Sequence, residues 1–324
     1  MAKKKILVTG AGGFIGGWLV KELLKDSNNE VFSVDIKPPS EWCQTFEGTP
    51  EIVSDLSDNR NTDKLVEGMD AIYNLAADMG GMGFIENNKA LCMMSVLINT
   101  NLLDSARRHQ VSKFFYASSA CVYNQLLQKD PNNVGLKESD AYPANPEDGY
   151  GWEKLFSERM CGHFYEDFGI ETRIARFHNV YGPYGTFRGG REKAPAAISR
   201  KIALAKLSGN HEIEIWGDGE QSRSFTYIDD TIKGISLLME SDFSAPLNLG
   251  SSELVTINRL VDIIEEIAGM KVKRRYNLAA PLGVRGRNSD NTLIKSLFSW
   301  EPEIKLYDGL AKTYNWIYDE LSKS

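Results

Sequence analysis

The chain has 324 residues, 42% of them apolar and 25% charged, with a formal net charge of -7. That size holds one large domain or two that pack together, and the acidic balance excludes a general affinity for nucleic acid or anionic membrane while leaving room for a local basic pocket. Four cysteines without a C-x-x-C pair and four histidines without a metal spacing exclude an ordinary disulfide framework or zinc site.

Free thiols in a chain of this size fit a reducing compartment, with the cytoplasm as the default. MAKKK runs straight into ILVTG, and no apolar stretch has the length of a signal or a membrane span. No repeat or low-complexity linker is visible, so any second domain is expected to be woven into the first.

Taken in order, KILVTG (5–10) is a short, branched apolar run that predicts a buried strand, and GAGGFIGGWLVKELLKD continues with apolar residues at helical spacing. Gly10, Gly13 and Gly16, with Phe14 and Ile15 between them, are spaced G-x-x-G-x-x-G. Such a motif is either a plain tight turn or a place where backbone meets a pyrophosphate at a helix N-terminus. The next strand, EVFSVDI, ends in Asp35 about twenty residues on, where a carboxylate accepts hydrogen bonds from the adenosine ribose and repels a ribose phosphate. The expected cofactor is NAD rather than NADP, although Lys37 stands nearby. Asp55 follows a third strand and faces the adenine edge or caps the following polar helix.

AIYNLAA (71–77) reads as a fourth strand, DMGGMGF as a loop, the stretch to about 109 as a helix and KFFYASSA as a fifth strand. Alternating strands and helices predict an α/β fold with a Rossmann-like, doubly wound parallel sheet, whose ligands bind at the carboxyl ends of the strands. Asp78 to Gly83 and Ser118 to Tyr123 then share one rim, with Cys121 at its mouth. A cysteine after a strand is by default a small buried apolar residue. DGYGWEKLFSERMCGHFYEDFG reads as a helix that puts Tyr150 and Lys154 on one face. An ammonium beside a phenol is expected to lower the tyrosine pKa, and nearby cations that of a thiol.

Together G-x-x-G-x-x-G, NLAA, SSAxVY, YxxxK, RFHNVYGP and RSFTYIDD resemble the extended short-chain dehydrogenase/reductase superfamily over nearly the whole chain. The resemblance implies that Tyr150 exchanges a proton with a sugar hydroxyl while NAD takes a hydride, and that Lys154 binds the nicotinamide ribose. Cys121 stands where that superfamily carries a Ser or Thr. It also implies a smaller, discontinuous α/β substrate domain towards the C-terminus. The expected boundaries are 1–181 plus about 224–256 for the NAD domain, and about 182–223 plus 257–324 for a nucleotide-sugar domain. A helix pair on the NAD domain often makes a homodimer in this superfamily.

GTFRGGREKAPAAISRK gathers Arg188, Arg191, Lys193, Arg200 and Lys201 in an acidic chain, as a solvated face or as part of a site. AADMGGMGFI, SSACVY, GGREKAPAA, WGDGEQSRSFT and GVRGRNSDN are more narrowly similar to the GDP-mannose 3,5-epimerase family. That similarity implies Cys121 and Lys193 as base and acid. It further implies Gly80, Ser119, Ala120, Asn179, Glu192, Ala194, Lys201, Gln221, Ser222, Arg223 and Arg287 as contacts of a GDP-sugar. A ketone at C4 acidifies C3 and C5, so two inversions would give GDP-L-galactose and one GDP-L-gulose. Competing readings are another NAD-dependent nucleotide-sugar enzyme, a 4-epimerase or 4,6-dehydratase, and a non-catalytic NAD sensor. The chain lacks the Asp-Glu pair of the dehydratases after SSxxVY.

Overall fold

The computed structural model describes residues 2–132 and 135–323. The first half runs β1 (Lys4–Thr9), α1 (Phe14–Leu23), β2 (Asn29–Asp35), β3 (Glu51–Val53), α2 (Asn59–Val66), β4 (Ala71–Asn74), α3 (Met82–Asn87), α4 (Lys89–Arg108), β5 (Lys113–Ser119), α5 (Tyr150–Phe168) and β6 (Glu171–Phe177). There follow β7 (Val180–Tyr181), α6 (Ala194–Ser208), β8 (Glu212–Trp216), β9 (Ser222–Ser224), β10 (Thr226–Tyr227), α7 (Ile228–Glu240) and β11 (Pro246–Leu249). The chain closes with β12 (Leu254–Thr256), α8 (Ile257–Ala268), β13 (Lys273–Asn277), β14 (Gly286–Arg287), α9 (Thr292–Phe298) and α10 (Leu306–Ser322).

Among the described residues seven strands form one parallel sheet in the order β11-β6-β5-β4-β1-β2-β3. Its middle strands are buried along most of their length because both faces are covered. Along β1, Ile6 and Val8 enter one core with Leu19 of α1 and Ile235 of α7, whereas Leu7 enters the other with Leu102 and Leu103 of α4. This is the doubly wound architecture expected from the alternation of elements.

Two local readings are corrected. The stretch DMGGMGF turns helical at Met82 instead of remaining a loop. SFTYIDDTIKGISLLME and PLNLGS read, in the sequence, as a return to the sheet after the Gly/Arg-rich loop, but SFTY does not rejoin it: β9 pairs with β12 and β14, and β10 with β7, in separate ladders. PLNL does return, as edge strand β11 beside β6. An unanticipated strand, the charged KRRYN of β13, pairs in parallel with β8. Lys273 then faces Glu212 at 3.0 Å and Arg275 faces Glu214 at 2.9 Å, so cross-strand charge pairs supply what apolar alternation does not. Among the described residues no helix is long and apolar enough to cross a membrane.

Candidate active site

At the end of β1 the chain turns through Gly10 at φ +70°, a conformation that suits glycine, and a Cβ on Gly16 would overlap the Gly10 carbonyl oxygen. This close packing starts α1 at Gly13 with no side-chain cap, leaving the Phe14 and Ile15 amides at the positive end of the helix dipole. The cradle fits a pyrophosphate. Asp35 is buried at the tip of β2 and accepts from the Lys37 amide at 3.1 Å, while the Lys37 ammonium reaches the Gly12 carbonyl at 3.3 Å. Asp55 is exposed and accepts from Ser57; the cap of α2 is Asp58, which accepts from Arg60 N–H. The residues present therefore fit NAD.

Beyond the carboxyl ends of β4 and β5 lies a cavity of about 270 Å³. From the NAD side it is lined by Gly80, Ser119, Ala120, Cys121 and Tyr150; from the far side by Asn179, Glu192, Lys193, Ala194, Lys201, Gln221, Arg223 and Arg287. Ser222 is the exception among the expected substrate contacts. Strand alternation along β9 turns it away from Gln221 and Arg223, and its hydroxyl donates to the Pro131 carbonyl. Lys154 lies beside Tyr150 rather than in the cavity lining, its ammonium 5.6 Å from the Tyr150 ring centroid, 4.7 Å from that of Tyr116 and 3.6 Å from Glu153.

Cys121 follows β5 in a short turn, where its amide donates to Ser119 Oγ at 3.2 Å. The start of α5 presses on this turn: only glycine fits at 151, because a Cβ there would overlap the Cys121 carbonyl. Tyr150 and Cys121 thus share one small buried cluster with Ile85 and Cys92. Arg287 Nη1 lies 3.6 Å from Cys121 Sγ, and the same guanidinium pairs with Glu147.

The electrostatics overturn two expectations. Burial, then the Glu147 carboxylate, push the Cys121 thiol up to about 11, against the opposing pull of Arg287 and Ser119. Burial, then Cys121 and Glu153, likewise hold the Tyr150 phenol well above its ordinary value. Glu153 sits on Lys154 and offsets the field that was expected to favour the phenolate. For Lys193 burial dominates and lowers the pKa, with the cysteine resisting. Desolvation, invisible in a motif, outweighs the neighbouring cations at both Cys121 and Tyr150.

Glu147 was not singled out from the sequence. It is 6% exposed, its amide donates to the Cys121 carbonyl at 3.0 Å, and one carboxylate oxygen lacks a hydrogen-bond partner among the described residues. Its significance depends on Arg287, 140 positions away, so no local pattern could have marked it. Phe177, Trp216 and Ile257 are among the further lining residues that no sequence signal marks.

Residues 6–250 match the NAD dependent epimerase/dehydratase family. The chain is 46% identical over 322 residues to GDP-mannose 3,5-epimerase 1 of Oryza sativa subsp. japonica, an alignment covering 99% of this chain and 83% of that one. It is 45% identical to GDP-mannose 3,5-epimerase of Arabidopsis thaliana, over 98% and 83% of the two chains. Among solved structures, UDP-glucuronic acid 4-epimerase of Bacillus cereus, in complex with UDP-glucuronic acid and NAD, superposes with a TM-score of 0.82 at 28% identity, covering 98% of this chain and 99% of that one. UDP-glucose 4-epimerase of Thermotoga maritima shares the fold with a TM-score of 0.87 at 24% identity, over 98% and 99% of the chains. With the glycine cradle, the Tyr150–Lys154 pair and the thiol facing the same cavity as Lys193, the chain belongs to the NAD dependent epimerase/dehydratase family and, within it, to the GDP-mannose 3,5-epimerases.

Proposed function

We propose that the protein epimerises GDP-D-mannose at C3 and C5 to GDP-L-galactose, with GDP-L-gulose as the singly inverted product. The observation that carries this reading is the presence of the Cys121 thiol and the Lys193 amine in one cavity beside Tyr150. A 4-epimerase has no use for that extra pair. NAD, when bound, accepts and later returns the hydride of C4, which makes the sugar a transient ketone. Tyr150 takes the C4 hydroxyl proton and gives it back, and Lys154 holds the nicotinamide ribose. With C4 oxidised, the protons at C5 and C3 become acidic, since each carbanion is an enolate. Cys121 removes a proton from one face and Lys193 delivers one from the other. Asn179, Glu192, Gln221 and Ala194 line the sugar and nucleotide path, and Lys201, Arg223 and Arg287 supply positive charge for the diphosphate, with arginine suited to bidentate contact.

The test is to incubate the protein with GDP-D-mannose in deuterated water and follow the sugar protons. Deuterium entering C3 and C5 of inverted product is expected; turnover confined to C4 sinks the reading.

Because Cys121 must ionise to act as a base, kcat/KM rises with pH through the thiol pKa. Glu147 raises that pKa, so Glu147→Gln is expected to move the ascending limb down by about one pH unit, the scale of a neighbouring charge. A kcat/KM–pH profile checks it, and an unmoved limb removes Glu147 from thiol tuning.

The same reading divides the chain into an NAD domain of residues 1–181 plus about 224–256 and a nucleotide-sugar domain formed by the rest. Leu91 and Met94 on α4, with Trp152 and Phe156 on α5, are 54%, 57%, 44% and 55% exposed. This apolar stripe on two packed helices suits a homodimer interface, which sedimentation velocity reads directly. The four free thiols suit a reducing, cytoplasmic setting.

A further inference from the structure

The loop after β4 and the basic segment before α6 are joined to each other. The Gly81 amide donates to the Arg191 carbonyl at 2.9 Å. Arg191 Nη1 in turn donates to Asp78 Oδ1 at 2.6 Å, across 113 positions of sequence, and to the Met79 carbonyl at 3.2 Å. Its guanidinium lies over the Phe84 ring, 3.7 Å from the centroid. The fit is tight at the glycines: a Cβ on Gly81 would lie 2.5 Å from the Glu192 carbonyl oxygen, and one on Gly80 2.8 Å from Phe84 Cβ.

As a contribution to stability this ion pair is minor. Its side chains are 46% and 39% exposed, and such pairs are worth about 0–1 kcal/mol. Its geometric leverage is greater. Lys193 follows Arg191 by two residues and is the cap residue of α6, fixed in the chain between the clasp and the first helical turn. Among the described residues no hydrogen bond holds its ammonium, so the backbone from which it leaves sets its place.

We propose that Asp78 and Arg191 are positioning residues for Lys193: the clasp holds the amine across the cavity from Cys121 and so decides between reprotonation with inversion and return of a proton from the cysteine face. This rests on the epimerase reading above. When Cys121 has taken a proton from carbon, its S–H bond forms as the C–H bond breaks. The enolate then gains a proton from the Lys193 ammonium and inverts, or from the solvent-exchanged thiol and keeps its configuration. Misplacement by about 1 Å can cost on the order of a hundredfold in a reacting step. The return path uses Cys121 alone and does not share that loss.

The experiment compares wild type, Asp78→Asn, Arg191→Gln and Asp78→Glu, each with GDP-D-mannose in deuterated water. Nuclear magnetic resonance follows deuterium in recovered substrate and in inverted product within one sample, so their ratio does not depend on how much protein is folded. Asp78→Asn and Arg191→Gln are expected to raise the ratio of return to inversion at least about tenfold, and Asp78→Glu to keep it near wild type. Both rates falling together at an unchanged ratio overturns the proposal, as does Asp78→Glu behaving like Asp78→Asn. A wild type that forms no inverted product overturns the epimerase reading itself, an outcome visible before any variant is compared.

Discussion

Cys121→Ser is expected to bind NAD normally and still oxidise C4 transiently, seen as a rise in NADH absorbance on mixing with GDP-D-mannose, while inversion falls by about 10²–10⁴-fold, the usual range for a lost general base. A serine hydroxyl matches the thiol in shape, and Ser119 and Arg287 still flank it. It does not ionise in a site where burial and the Glu147 carboxylate push even a thiol up to about 11. Deuterium entry at C5 and C3 is therefore expected to fall with inversion. Unchanged exchange in this variant would remove Cys121 from proton abstraction and leave its buried, space-filling reading standing.

Tyr150→Phe is expected to stop the reaction one step earlier. No NADH transient appears, neither carbon exchanges, and turnover drops by about 10²–10⁴-fold, although bound NAD is retained because the glycine cradle and Asp35 lie on other elements. Burial, then Cys121 and Glu153, raise the phenol pKa, so the group rests protonated near neutral pH. Rapid-mixing absorbance at the NADH band separates the two variants. A transient of wild-type size in Tyr150→Phe would assign C4 proton transfer to another group.

The β1–glycine–α1 unit and the succession of the first five strands along the chain were legible because each signal is local: an apolar run, a spacing, a helical period. The position of Tyr150 and Lys154 on one helix face follows from the same arithmetic. What escaped was set by distant partners. KRRYN carries no apolar alternation to mark it as a strand, and only the placement of Glu212 and Glu214 opposite it explains the pairing. Glu147 reads as one acidic residue among many until Arg287 arrives from the far end of the chain. The directions of the thiol and phenol shifts were misread for a related reason, since a motif reports which charges are near but not how completely water has been removed. Ser222 was carried by similarity across a strand whose alternation points it elsewhere.

The placement of β11 has a consequence for synthesis. β6 is made well before its outer neighbour, and the residues between them build most of the wall that carries Lys193, Lys201 and Arg223. A nascent chain therefore presents an open sheet edge throughout that interval, the kind of surface that invites pairing with another chain. β6 gains its outer neighbour only after most of the residues that build the cavity's far wall have been synthesised. Fragments ending before Pro246 lack the edge strand and leave β6 without its outer neighbour.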